Sequence, residues 1–215
     1  STLATYLFVT SVDDLLKELC DSKAGIEIAG IFFSAICFVD DLLVLTDSLE
    51  QMKKLQGIID NYAHTWKLVM NDQKQKITCS GLTKELKTHL NSSGISQEAI
   101  QTLLVEEFKH LGIWINGPTG SWDRHVKERT KSALAFLHML RARGLKSDTV
   151  KPTVGIRLFH SVISKLLFYG IELLPPNPGL MEALDKAQAK ILRALLGMHK
   201  LTPTSWVLWE AGCLS

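Results

Sequence analysis

The sequence predicts an α+β chain in two parts. A small antiparallel sheet with packed helices occupies residues 1–116, and an all-helical region follows over 117–215. Three observations carry that expectation. Apolar residues of β character flank a pair of acids at 40–41, the pattern of a hairpin. Apolar residues recur at helical spacing before that hairpin and again throughout the chain after Trp122. Between the two regimes lies Asn116-Gly117-Pro118-Thr119-Gly120, a run of turn formers and the best candidate for a domain boundary.

The elements follow in order. Leu3, Leu7, Val12, Leu15, Leu16 and Leu19 recur at helical spacing, so an amphipathic helix runs to about Cys20 and a turn follows at 21–25. Gly25-Ile26-Glu27-Ile28 reads as a short strand ended by Gly30, and residues 31–38 as a second, rich in Ile and Phe. Val39-Asp40-Asp41 interrupts it, and an apolar strand resumes over 42–46. Asp47 or Ser48 caps the next helix, with Glu50 and Gln51 in its first turn as in a capping box. Met52, Leu55, Ile58, Ile59 and Tyr62 form its core face and Trp66 closes it. Residues 68–70 and 77–79 read as short strands around the polar stretch 71–76. Residues 83–107 are less regular, with a turn at Asn91-Ser92-Ser93-Gly94, and 108–115 is a strand broken at Gly112. The remainder is helical. One helix spans 122–143 and stops at Gly144; a second spans about 149–169, with Pro152 tolerated near its start. After the connector Pro175-Pro176-Asn177-Pro178-Gly179, a third runs over 180–196 and stops at Gly197. No internal repeat or low-complexity stretch is present.

At 215 residues and 46% hydrophobic content the chain can bury a core, and 21% charged residues with a net charge of +2 argue against disorder. That mild basicity is compatible with a nucleic-acid partner without requiring one. Cys20, Cys37, Cys79 and Cys213 form no C-x-x-C pair, so no zinc or redox motif is expected; they read as reduced, mostly buried thiols. No secretory signal is visible, and the longest apolar run, 29–39, is too short to span a bilayer. The expected location is intracellular, in nucleus or cytoplasm. The chain opens on Ser1, already in helical pattern, and is expected to be part of a longer reading frame.

Asp40-Asp41 is the most informative feature. Two adjacent carboxylates between apolar stretches cost roughly several kcal/mol each to bury uncompensated. A hairpin tip holds both at the edge of a sheet, and a divalent cation such as Mg²⁺, which prefers hard oxygen ligands, tolerates the paired charge. In two-metal phosphoryl transfer, carboxylates hold the ions that activate the attacking hydroxyl and stabilise the leaving oxygen. The other reading is an ordinary polar turn.

The neighbours of the pair bear on that choice. Phe38-Val39-Asp40-Asp41 before an apolar strand resembles the aromatic-x-Asp-Asp motif of reverse transcriptases, and further stretches resemble the non-LTR (LINE-type) retrotransposon pattern in order. Ser1-Thr2-Leu3 through Leu7-Phe8-Val9 resembles the tail of the preceding motif, with Thr2 where Pro is usual. Gly25-Ile26-Glu27-Ile28 to Ser34-Ala35 resembles the strand leading to the acids, and Trp66-x-Leu68-x-x-Asn71-x-x-Lys74 the motif after them. Phe108-Lys109-His110-Leu111-Gly112 resembles the primer-grip strand, with His110 in place of Tyr. Trp122-Asp123-x-His125-Val126-x-x-Arg129, Phe168-Tyr169-Gly170-Ile171-Glu172 and Ile191-Leu192-Arg193-x-Leu195-Leu196-Gly197 resemble thumb segments. Val39 replaces the commoner Ala.

The resemblance implies a partial polymerase palm followed by a helical thumb, and RNA-directed DNA polymerisation with Mg²⁺ on an RNA template, a DNA primer and deoxynucleotides. It implies Asp40 and, more weakly, Asp41 as metal-binding catalytic acids, and Lys74 as general acid on the pyrophosphate leaving group. Lys76, Lys109, His110 and Gly112 would meet nucleic acid, as would Arg124, Lys127 and Lys131, clustered with Arg129 early in the helix after Trp122, with Arg141, Arg143 and Lys146 near its end. The family's other metal-binding Asp is not among these residues, so the 215 residues alone are expected to bind Mg²⁺ poorly and polymerise nothing. Read without the resemblance, the lysines are a solvated loop and the helix cations a solvated face. His110, His125, His138 and His160 lack metal-ligand spacing and read as packed or surface residues, and Trp114, Trp206 and Trp209 as core or interface. Residues 206–214 look apolar and exposed. Two further functional readings stand beside the polymerase: a non-catalytic nucleic-acid-binding module, and a helical interaction domain.

Overall fold

Helical and strand periodicities alternate along this chain, and each becomes a separate element. A computed structural model describes residues 2–71, 74–80, 83–92, 97–145 and 151–213. The order is α1 (Thr2–Asp21), β1 (Ile26–Ile28), β2 (Ile31–Phe33), β3 (Ala35–Phe38), β4 (Asp41–Val44), α2 (Leu49–Thr65), α3 (Thr83–Ser92), α4 (Gln97–Leu103), β5 (Glu107–His110), β6 (Ile113–Asn116), α5 (Asp123–Ala142), α6 (Pro152–Leu158), α7 (Ser164–Leu167), α8 (Pro178–Leu196) and α9 (Thr204–Glu210). The architecture is mixed α and β in the first half and helical after β6, as the sequence predicts. The chain forms two compact units, Ser1–Gly112 and Ile113–Ser215.

In the first unit, Val12, Leu15 and Leu19 of α1 pack on Leu55, Ile59 and Tyr62 of α2. Burying each such side chain stabilises by about 1.5–3 kcal/mol. The Tyr62 hydroxyl donates to the Ser11 carbonyl and pins the two helices. Leu3 and Leu7, part of the same helical recurrence, are exposed, so only the second half of α1 is anchored. Ser48 caps α2, its hydroxyl accepting from Gln51 N–H at 3.3 Å. The capping box is completed differently from its usual form: Gln51 Oε1 accepts the Gly25 N–H at 2.9 Å.

The strand expected over 31–38 is two strands. β2 pairs antiparallel with β1, Ile28 opposite Ile31, whereas β3 pairs antiparallel with β4, Phe38 opposite Asp41. The change of partner falls at Ser34, which is fully buried. Its hydroxyl donates to the Ala24 carbonyl, and its own carbonyl accepts the Leu45 N–H at 2.9 Å. Strands were also expected at 68–70 and 77–79. Residues 68–70 are exposed coil, Val69 at 96%, and 77–79 contributes one isolated bridge, Ile77 to Leu104. The stretch 83–107, expected to be irregular, holds α3 and α4, whose Leu86, Leu90 and Ile100 make a separate small core. Of the turn expected at 91–94, Asn91 and Ser92 are helical and the rest lies outside the described residues.

In the second unit, Val126, Ala133 and Leu137 of α5 pack with Phe159, Ile163, Leu167, Leu184, Ile191, Leu192, Val207 and others in one core. Asn177 caps α8, accepting from Gly179 N–H at 2.9 Å, and Gly197 ends it at φ 69°. The helix expected over 149–169 is continuous only in part. Residues 146–150 lie outside the described residues, and Phe159–Ile163 is a π-helical turn between α6 and α7. Among the described residues no helix is long and apolar enough to cross a membrane.

Gly170 is set by two constraints at once. Its φ is +78°, and a Cβ there would meet His125 Nε2 and Ile113 Cγ1 at 3.3 Å. Gly170→Ala is therefore expected to lower unfolding free energy by about 2–3 kcal/mol. Gly144→Ala, at φ +95° with open space around it, should cost only about 1 kcal/mol. Urea denaturation of the two variants tests the difference.

Candidate active site and nucleic-acid interface

Alternation along β3 and β4 decides where the acids point. Ala35, Cys37, Leu42 and Val44 pack against the α1–α2 core. Ile36 and Phe38 lie on the opposite face, 48% and 60% exposed. Asp41 opens β4 opposite Phe38, and Asp40 occupies the two-residue turn with Val39; both acids are exposed. The expected hairpin tip is therefore present, with Asp40 at its apex and Asp41 on the first rung of the ladder. Among the described residues neither carboxylate forms an ion pair.

The hairpin is held from behind. Gly25 adopts φ +138°, and a Cβ there would come within 2.5 Å of the Phe33 carbonyl oxygen and 2.8 Å of Ser34 Cα. Only glycine lets these segments approach so closely. With the Ser34 hydroxyl on Ala24 and Gln51 on Gly25, the base of the hairpin is fixed to α2. Gly25, Ser34 and Gln51 were missed as supporting residues; the Gly25 signal was legible as a glycine before a strand, whereas the Ser34 and Gln51 contacts join residues distant in sequence.

At the tip, Val39 has φ 55°, a left-handed conformation that a β-branched residue adopts only under strain. Cys37 lies inside the turn, its thiol donating to the Val39 carbonyl at 3.4 Å. Burial pushes this thiol above the ordinary cysteine range, and the charges of Asp40 and Asp41 push it further in the same direction.

The other expected site residues are distributed as follows. Lys74 is exposed in a turn whose N–H donates to the Asn71 carbonyl at 3.0 Å, and its ammonium forms no ion pair with the acids among the described residues. Lys76 Nζ donates to the Thr102 carbonyl at 2.7 Å, which ties the segment to α4. Lys109 is exposed on β5; His110 is half-buried, its Nε2 without a partner among the described residues. Gly112 has φ 83° in the turn after β5.

On α5, Arg124, Lys127 and Lys131 stand three and four residues apart, all exposed, opposite the buried His125, Val126, Ala133 and Leu137. They form one cationic stripe. Arg124 stacks its guanidinium 3.6 Å above the Trp114 ring. Arg129 is half-buried 5.5 Å over the Tyr169 ring, and Lys146 lies outside the described residues. His125, expected only to be packed or at the surface, is a buried joint. Trp114 N–H donates to its Nδ1 at 3.3 Å, so the proton sits on Nε2, which donates to the Tyr169 carbonyl at 2.8 Å. Trp206 and Trp209, expected in a core or interface, are exposed. Of the cysteines, Cys20 is exposed and the other three are half-buried, so the expectation of mostly buried thiols is corrected.

The exposed acids of the hairpin, in the first unit, suit a cation, and the cationic stripe of α5, in the second, suits an anion. The family model for reverse transcriptase (RNA-dependent DNA polymerase) matches residues 1–115, and the chain belongs to that family. Comparisons with curated proteins and with solved structures gave no match. The family's activity is RNA-directed DNA polymerisation, on nucleic-acid template and primer with nucleotide substrates, and its members use divalent metal ions. Asp40 and Asp41 offer two hard oxygen donors with no cationic partner among the described residues, which suits such an ion as part of a ligand set. No group of three or more His, Cys, Asp or Glu gathers among the described residues.

Two measurements test the hairpin. Val39→Gly is expected to raise thermal stability, by about 1–2 kcal/mol, by releasing the left-handed strain. Cys37 binds its proton more tightly folded than unfolded, so its contribution to stability is full below pH 9.0 and declines above it. Its alkylation by iodoacetamide, resolved by mass spectrometry, should have a midpoint above pH 9.0. Asp40→Asn with Asp41→Asn should lower that midpoint only partway, since burial is the larger cause.

Proposed function

We propose that this chain is the palm and thumb portion of a non-LTR (LINE-type) retrotransposon reverse transcriptase, with the palm over 1–116 and the thumb over 117–215. The observation that carries the reading is the acid hairpin, a two-residue turn presenting Asp40 with Asp41 beside it, inside the region of family membership. The substrates are an RNA template, a DNA primer and deoxynucleotides. Asp40 and, more weakly, Asp41 would hold Mg²⁺, which when bound activates the primer 3′ hydroxyl and stabilises the leaving oxygen. Lys74 donates a proton to the departing pyrophosphate from its exposed turn. Lys76 steadies its own segment through Thr102 and stands near the backbone of the nucleic acid. Lys109, His110 and Gly112 position the primer end, and the stripe of Arg124, Lys127 and Lys131 tracks duplex phosphates, a sequence-independent contact.

Two carboxylates on one turn are an incomplete set for two metals, so residues 1–215 alone are expected to bind Mg²⁺ weakly and extend no primer. The test is primer extension on RNA with Mg²⁺. It compares residues 1–215, the same residues joined to the motif that supplies the third carboxylate, and the joined chain carrying Asp40→Ala. Extension by the joined wild type alone, with Asp40→Ala at least about a hundredfold slower, supports the proposal. If Asp40→Ala costs nothing, the pair is a turn. The α5 stripe would then favour the second reading, a non-catalytic nucleic-acid-binding module, whose mark is salt-dependent duplex binding without Mg²⁺.

A further inference from the structure

The surface that the polymerase reading leaves unused is α9 and the connector before it. Trp206 and Trp209 stand three residues apart on α9, so they share a face, and they are 71% and 69% exposed. Leu201, on the connector, is 76% exposed. These groups are not on a loose end. The other face of α9 places Val207 and Leu208 in the core of the second unit. Arg193 grips the connector, donating to the Thr202 carbonyl from Nε at 2.9 Å and from Nη2 at 2.7 Å, and to Thr204 Oγ1 at 3.0 Å. His160 Nε2 lies 2.9 Å from the Ala211 carbonyl, fixing the far end. The backbone that carries the two exposed indole rings is thus tied to the second unit at both ends.

Charge and ring type together select the occupant. Between Lys190 and Glu210 the only acid is Glu210 itself, against Lys190, Arg193 and Lys200, with His199 beside Lys200. Lys200 and His199 are exposed on the connector, six and seven residues before Trp206 in the chain, and Arg193 is spent on holding that connector. Aromatic faces beside cations are what unpaired nucleic acid binds, bases stacking on rings and phosphates meeting ammonium groups. We propose that Trp206, Trp209 and Lys200 form a binding platform for single-stranded nucleic acid, the two rings stacking on unpaired bases without sequence preference. The proposal deepens the polymerase reading by assigning a site for an unpaired strand, and it rests on that reading for its partner class.

The test is fluorescence anisotropy of a labelled 20-nucleotide oligothymidylate with the 215-residue chain, at 50 and 200 mM salt. Trp206→Leu and Trp209→Leu keep apolar bulk and remove the stacking face; each is expected to weaken binding roughly tenfold. Trp206→Phe and Trp209→Phe should stay within about threefold of wild type. Lys200→Gln should reduce the slope of log affinity against log salt by about one. Thermal melts check that these exposed substitutions leave the fold intact. No binding by wild type, or equal binding by the Leu variants, overturns the proposal. So does a Leu variant that binds the oligonucleotide normally but loses self-association on sizing, which would make the face a protein contact. The Asp40 primer-extension result is independent of these variants, so failure of the platform and failure of the polymerase reading are separately visible.

Discussion

The buried hydroxyl of Ser34 is the contact on which the first unit depends. It occupies the one point where the chain leaves one hairpin and begins the next, and there two backbone segments need partners at once. Its hydrogen bond to Ala24 and its carbonyl bond from Leu45 satisfy both. Without them the backbone groups at this crossing would be buried and unpaired, at about 1–3 kcal/mol each. The acids six and seven residues further on stay in place because this crossing does not move.

That arrangement separates rigidity from charge. The face of β3–β4 that touches α1 and α2 is apolar, and the face that carries Asp41 is open. Like charges are tolerated because they sit in water at the tip and not in the core. The strain at Val39 fits the same logic. A left-handed residue at the turn fixes the orientation of the carboxylates, and packing behind the hairpin opposes its relaxation. In the second unit, His125 has a comparable role, joining Trp114 to Tyr169 through one neutral ring beneath the cationic stripe.

Much of this was legible in the sequence. The acid hairpin, α2 with its Ser48 cap, α5 and α8 all announce themselves through period and capping residues, which are local signals. What was not legible depends on contacts between distant residues. The break at Ser34 reflects a change of strand partner, which alternation within 31–38 does not encode. Residues 68–70 carry strand-like side chains but have no strand to pair with among the described residues, so they remain coil. The exposure of Trp206 and Trp209 was legible in the apolar, exposed look of 206–214, whereas that of Leu3 and Leu7 is a property of what lies opposite them, which helical spacing does not state. At the site, the acids were found from their neighbours in sequence, whereas Trp114 beneath Arg124 and Gln51 beneath Gly25 come from tertiary contact only.

The π-helical turn at Phe159–Ile163 has a consequence for chain length. Phe159, Ile163 and Leu167 are buried at a spacing of four, longer than the 3.6 residues of an α-helix. A regular helix would rotate that stripe progressively away from the core, and the wide turn absorbs the drift by accommodating one surplus residue. This segment consequently stays in phase with its core although it carries the added residue. Losing one residue within that turn would restore regular hydrogen bonding and leave Leu167 and Tyr169 near their present phase, whereas losing one from the regular helix beside it would turn everything after it by about 100°. The wide turn acts as a phase adjuster, keeping the angle at which the rest of the second unit meets α5.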